Sequence, residues 1–144
     1  MNTQAAINSY NKVGLESGVI AADPHRLILM LFDGALLAIS NARIKMQQKD
    51  IPAKGKSISH AIRIIGEGLD GSLDKKAGGK LAQDLSSLYG YMLKRLVDAN
   101  ANNDVNALDE VTRLLTELTD AWAAIKPTAA SSAQVVNKGQ MAYR

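Results

Sequence analysis

The chain has 144 residues, with 17 Lys and Arg against 14 Asp and Glu, a net charge of +3, 4% aromatic residues and no cysteine. That length suits one domain with a single core. The lack of cysteine excludes disulfides, thiol nucleophiles and cysteine-held metals, and fits a reducing compartment. So small a positive charge is no signature of nucleic-acid binding.

Residues 1–22 (MNTQAAINSYNKVGLESGVIAA) mix polar residues with two helix interruptors, Gly14 and Gly18. Ile7, Tyr10, Val13, Leu15, Val19 and Ile20 are more apolar content than a wholly disordered tail carries. The expectation is a mobile N-terminal arm that lies on the body part of the time. No basic segment followed by an apolar run opens the chain, so a cytoplasmic (cytosolic) protein without a leader is expected.

Asp23 to Gln48 (DPHRLILMLFDGALLAISNARIKMQQ) reads as one long helix. Asp23 suits the N-cap and Pro24 the first helical position. Leu27, Ile28, Leu31, Phe32, Ala35, Ala38, Ile39, Ala42 and Met46 share one stripe at helical period. Apolar residues remain outside it. Met30, Leu37 and Ile44 recur every seven positions on a second side, and Leu29 and Leu36 lie on a third. A helix this apolar is either the fully covered centre of its own bundle or has spare surface that something else covers. Asp33, Ser40, Asn41 and Arg43 make it too polar, and its length too short, for a membrane span.

Pro52 and Gly55 mark a turn or a restart. Ile58, Ala61, Ile62, Ile65, Leu69 and Leu73 mark a second stripe, weakened by Gly66, Gly68 and Gly71 at roughly 1 kcal/mol each. Residues 74–80 (DKKAGGK) form a turn. Leu81, Leu85, Leu88, Tyr89, Met92, Leu96 and Ala99 form the third stripe, with Tyr91, Leu93 and Val97 off its centre. Asp104 caps a fourth helix whose stripe is Leu108, Val111, Leu114, Leu115, Leu118, Trp122 and Ile125. Lys126-Pro127 stops it.

These patterns predict an all-α, antiparallel up-down-up-down four-helix bundle over residues 23–126, with an arm over 1–22 and a flexible tail over 127–144. In that topology a basic segment (Arg43, Lys45, Lys49, Lys54, Lys56) and an acidic one without a nearby base (Asp98, Asp104, Asp109, Glu110) meet at one end.

No catalytic, metal or cofactor constellation is present. There is no Glu-x-x-His, P-loop, G-x-G-x-x-G or G-x-S-x-G, so the chain is not expected to be an enzyme and needs no cofactor. His25, in a first helical turn, reads as a surface or local hydrogen-bonding residue.

Four segments taken in order resemble the flagellin export chaperone family, FliS. They are Ser9-Tyr10, Pro24 through Phe32-Asp33-Gly34-Ala35, Leu85 through Leu93 with Arg95-Leu96 and Ala99-Asn100, and Glu110-Val111 through Ala121-Trp122. Phe32 stands where that family usually has Tyr, which loses only a hydroxyl. The resemblance implies a cytosolic helical bundle that binds the C-terminal segment of newly made flagellin. It also implies that the bundle prevents early polymerisation and delivers flagellin to the export gate protein of the flagellar type III apparatus. It further implies that the arm around Ile7 and Tyr10 covers part of the client site. Candidate client-binding residues are Met30, Leu37, Tyr89, Tyr91, Leu93 and Val97. No nucleic-acid partner or membrane insertion is expected. A weak homo-oligomer stays open, and the alternative is a self-associating helical adaptor without a flagellin client.

Overall fold

A computed structural model describes residues 23–125. The predicted arm, with Ile7 and Tyr10, and the tail over 127–144 lie outside the described residues. The chain forms α1 (Pro24–Gln47), α2 (Ile51–Arg63), a π-helical continuation (Ile64–Asp70), α3 (Gly79–Asn102) and α4 (Val105–Ala124). With α2 and its continuation as one arm, this is an all-α four-helix bundle.

Three helices start alike. The carboxylates of Asp23, Asp50 and Asp104 accept from the backbone N–H of Arg26, Ala53 and Ala107, each at 3.2 Å. Each satisfies one of the four donors that a helix start leaves free. Pro24 and Pro52 sit in the first turns of α1 and α2, where no hydrogen bond is lost. Pro52 therefore starts α2 rather than delaying it, and only Gln48–Asp50 separate the first two helices.

α1 packs on α2, on the π segment and on α4; α3 packs on α4, α2 and the π segment. α1 and α3 thus lie on the diagonal. The stripe of α1 is buried as its spacing predicts, through Leu27, Ile28, Leu31, Phe32, Ala35, Ala38, Ile39 and Ala42. It meets Ile58, Ile64 and Ile65, then Met92 and Leu96, then Leu108, Val111 and Leu115, all fully buried. Burying one such Leu or Ile contributes about 1.5–3 kcal/mol relative to leaving it in water. α1 is long and apolar enough to cross a bilayer, against the expectation from sequence. Its three packed neighbours account for that apolarity inside a bundle.

Polar contacts fasten both ends. At one end His25 is buried and its ring stacks on Trp122, with centroids 5.1 Å apart and planes at 17°. His25 Nε2 donates to the Trp122 carbonyl at 2.8 Å, and Trp122 Nε1 donates to the His25 carbonyl at 3.0 Å. His25 is therefore not the surface residue expected from its position. Its partner lies 97 residues away and no local pattern could reveal it.

At the other end Lys54 is buried, and its ammonium donates to the Asn100 carbonyl at 2.8 Å and Asn103 Oδ1 at 2.6 Å. A cation at the last carbonyls of α3 also complements the helix dipole. Asn103 turns the chain with φ of 50°, a left-handed conformation that Asn tolerates. The acidic segment does have bases. Arg43 clamps Asp109 with two contacts, at 2.8 and 3.3 Å, tying α1 to α4. Arg95 reaches Glu110 at 2.7 Å, Asp98 at 3.4 Å and Asp104 at 3.9 Å. Arg43 holds the Asp109 carboxyl below its ordinary value, and hydrogen bonds from Tyr91 and Arg95 do the same for Glu110.

Two outcomes follow from these fastenings. In a urea-unfolding cycle, His25→Ala and Trp122→Phe should be non-additive by about 0.5–3 kcal/mol, because the two rings stack on each other and each side chain anchors the other's backbone. Additive losses would mean that the two residues act separately. Glu110 has a lowered folded pKa, so its contribution is present above the ordinary value of 4.5 and is lost as pH falls through the lower folded value. Urea midpoints measured from about pH 6 to about pH 3 should fall less steeply for Glu110→Gln than for the wild type. Parallel curves would contradict the assignment.

Candidate functional site

The structure divides the six body candidates among separate places. Met30 and Leu37 belong to the outer side of α1, where Leu37 is 63% exposed, Met30 is half-buried and Ile44, one heptad on, is 46% exposed. Leu29 and Leu36, half-buried, flank this stripe on the side that also carries Arg43, hence toward α4. Asp33, Ser40 and Asn41 are exposed around it and give it a polar rim.

Leu93 and Val97 lie on α3. Leu93 is half-buried and its Cδ1 lies 3.6 Å from where a Cβ would stand on Gly66, so it covers the backbone of the π segment. Val97, four residues on, is 55% exposed. Tyr91 is on the opposite flank of α3, toward α4. Its ring is 43% exposed and its hydroxyl donates to Glu110 Oε2 at 2.7 Å. That hydrogen bond raises the Tyr91 phenol above its ordinary value. The bond also fixes the ring, so a partner would meet an aromatic surface whose orientation is already set.

Tyr89 is different. It is 4% exposed and packs in the core between α3 and its neighbours, so it presents no ring to a partner. Burial, and to a smaller extent the nearby Asp70 carboxylate, pushes its phenol well above the ordinary value. Helical period places Tyr89 in the core stripe of α3, which agrees with its burial.

Exposed apolar residues that the candidates omit are Ile44, Ile51, Leu81 and Ile125. Ile44 could have been found from the seven-residue spacing it shares with Leu37. Leu81 and Ile125 stand in core stripes by period, but they lie at helix ends, where no neighbouring helix reaches over them. Spacing alone carries no signal of that.

Two apolar faces result, one on α1 and one between α3 and the π segment, on diagonally placed helices. Each offers side chains at helical spacing, the arrangement that accepts an amphipathic helix. Among the described residues no group of three or more His, Cys, Asp or Glu is placed to hold a metal ion.

The model of the family described as "Flagellar protein FliS" matches residues 6–129. The flagellar secretion chaperone FliS of Salmonella typhimurium is 47% identical over 129 residues, which cover 90% of this chain and 96% of the relative. The flagellar secretion chaperone FliSB of Pseudomonas aeruginosa is 46% identical over 125 residues, covering 87% and 98%. The FliS of Escherichia coli is 45% identical over 114 residues, covering 79% and 84%. With a helical bundle whose apolar faces flank its core, and with matches spanning nearly the whole chain, this protein belongs to the FliS family of flagellar secretion chaperones.

Proposed function

We propose that the protein binds the C-terminal segment of newly made flagellin in the cytosol, keeps it from polymerising early and hands it to the flagellar export gate. The observation that supports this reading best is the pair of exposed apolar faces. Leu37 and Ile44 on α1 and Val97 on α3 remain in water although the core is already complete without them. An unfolded chain end offers apolar side chains that no partner yet covers. If it orders as helices on these faces, each side's apolar surface leaves water together. Ordering such a segment costs conformational entropy, so a large contact area is required, and two faces supply more than one would.

The arm carrying Ile7 and Tyr10 is proposed as a weak lid on one of these faces. A docked lid would lower apparent client affinity by the fraction of time it occupies the site. The chemistry is binding only, with no bond made or broken.

The same faces favour one second reading, self-association through α1, because Leu37 and Ile44 would leave water equally well against another copy. Sedimentation separates the two. The chaperone reading expects a species that gains mass with a flagellin C-terminal peptide, and the adaptor reading expects mass that rises with protein concentration alone.

Val97→Asp and Leu37→Asp should each weaken binding of that peptide by about 10–100-fold, the equivalent of one apolar anchor of about 1.5–3 kcal/mol. Far-UV circular dichroism and the unfolding midpoint should stay near wild type, since both side chains lie outside the core. Unchanged affinity measured by calorimetry in both variants would remove these faces from the client site. Ile7→Ala with Tyr10→Ala should raise peptide affinity or change self-association, and if calorimetry and sedimentation show neither, there is no lid.

A further inference from the structure

The segment least like ordinary packed helix is Ile64–Asp70, seven residues of π-helix closed by a bond from Gly71 N–H to the Gly66 carbonyl at 3.1 Å. π-helical structure is usually a single-turn bulge inside an α-helix and recurs where function is carried. Here the run is longer, and it contains Gly66 and Gly68 with Gly71 behind them. It lies beneath the α3 face and against the core stripe of α1. A Cβ on Gly68 would stand 3.1 Å from Cδ2 of the buried Leu31 on α1, and one on Gly66 would stand 3.6 Å from Leu93 Cδ1 on α3.

A second, independent feature sits at its end. Asp70 Oδ1 is buried with no hydrogen-bond partner among the described residues, while the other oxygen has only Lys75 at 3.8 Å. A buried acceptor without a donor is unfavourable, so the arrangement holds only while the surrounding packing imposes it.

We propose that Ile64–Asp70 is a register switch, π-helical without client and α-helical with it, which moves Leu93 off Gly66 and opens a slot between the segment and α3 for an apolar client side chain. The proposal rests on the reading that the α3 face takes a client. Narrowing from π to α moves each hydrogen bond's acceptor from five residues back to four, which turns the following residues by about 100° and about 1.5 Å. The upstream end cannot follow, because Lys54 is fastened to Asn100 and Asn103. The shift therefore falls on Gly66 to Asp70 and on the eight-residue connection before α3, which contains Gly71 and Gly78. Asp70 turns with the segment, and its unpartnered oxygen reaches water. The glycines fit this role: they allow close approach to Leu31 and Leu93 in one register and add no side chain that would hinder the other.

Amide hydrogen exchange on the full chain, free and saturated with a synthetic flagellin C-terminal peptide, tests the switch, with calorimetry recording binding independently. In the free chain, amides of residues 65–72 should exchange at least about tenfold faster than those of residues 31–42, as a locally opening unit does. Equal protection of the two segments overturns the proposal. With peptide bound, exchange at 65–72 should slow at least about tenfold, and binding without that change also overturns it. If calorimetry shows no binding, the flagellin reading fails, while the free-chain comparison still decides whether the segment opens. Gly66→Ala puts a methyl on the floor of the slot at an ordinary contact distance, so the chain should fold with an unfolding midpoint at or above wild type. Its peptide affinity should drop about tenfold, and unchanged affinity overturns the slot.

Discussion

The coverage of α1 governs both how the molecule folds and what it leaves bare. A helix at the corner of a four-helix bundle can give only part of its circumference to its neighbours. α1 carries apolar side chains over more than that part. Eight of them, from Leu27 to Ala42, fill the core at helical spacing. The heptad Met30, Leu37, Ile44 faces the other way, and Leu37 and Ile44 stay 63% and 46% exposed. Neither side chain supports the fold, since a polar residue at the same position would leave the core untouched. One helix therefore supplies the largest share of the cohesion and, among the described residues, the most exposed large apolar side chain.

The fastenings divide the bundle into firm ends and a softer side. His25 and Trp122 lock the start of α1 to the finish of α4. Lys54 locks α2 to the finish of α3, and Arg43 and Arg95 tie α4 to α1 and α3 at that same end. The exposed ion pairs among these are each worth about 0–1 kcal/mol. The buried Lys54 and the reciprocal His25–Trp122 bonds weigh more, because breaking them strands groups away from water. Between these ends the π segment is seated in the core by Ile64, Ile65 and Leu69, but among the described residues no side-chain hydrogen bond ties it to another helix. Local stability follows the density of such contacts, so movement is expected there before it is expected at either end.

Much of this was legible in the residues. Two Asp caps, one first-turn proline and four stripes at helical period set the helices, and short connections set the antiparallel order, while the Asp50 cap that starts the second helix at Pro52 went unread. What was not legible has a common cause, namely pairing across long sequence separations. Trp122 lies 97 residues from His25, so a residue that looked local turned out to be a clasp. Arg95 was close enough in sequence to Asp98 to be noticed, yet its bonds to Asp104 and Glu110 depend on how α3 meets α4. The three glycines of the second helix signalled weakness, but not the π geometry that results. Among the site candidates, period separated core from surface only in mid-helix. It placed Tyr89 in the core stripe, and it could not tell that Leu81 and Ile125 would be bare at the helix ends.

The diagonal placement of the two faces restricts what can occupy them. A folded partner with one rigid surface can lie against α1 or against α3, but not both, because α2 and α4 stand between. A partner that uses both must be a chain able to pass around the bundle and to order as it does so. Such a chain makes several separate apolar contacts, none of which dominates. Its affinity would then fall stepwise as anchors are removed, instead of collapsing at one. It could also be released in stages, face by face, through intermediates that still hold one end. A rigid interface of the same area has no equivalent route, since all its contacts must break together. Under the proposed function, in which an unfolded segment is held and then surrendered to a transport apparatus, two modest faces on opposite corners serve better than one deep groove.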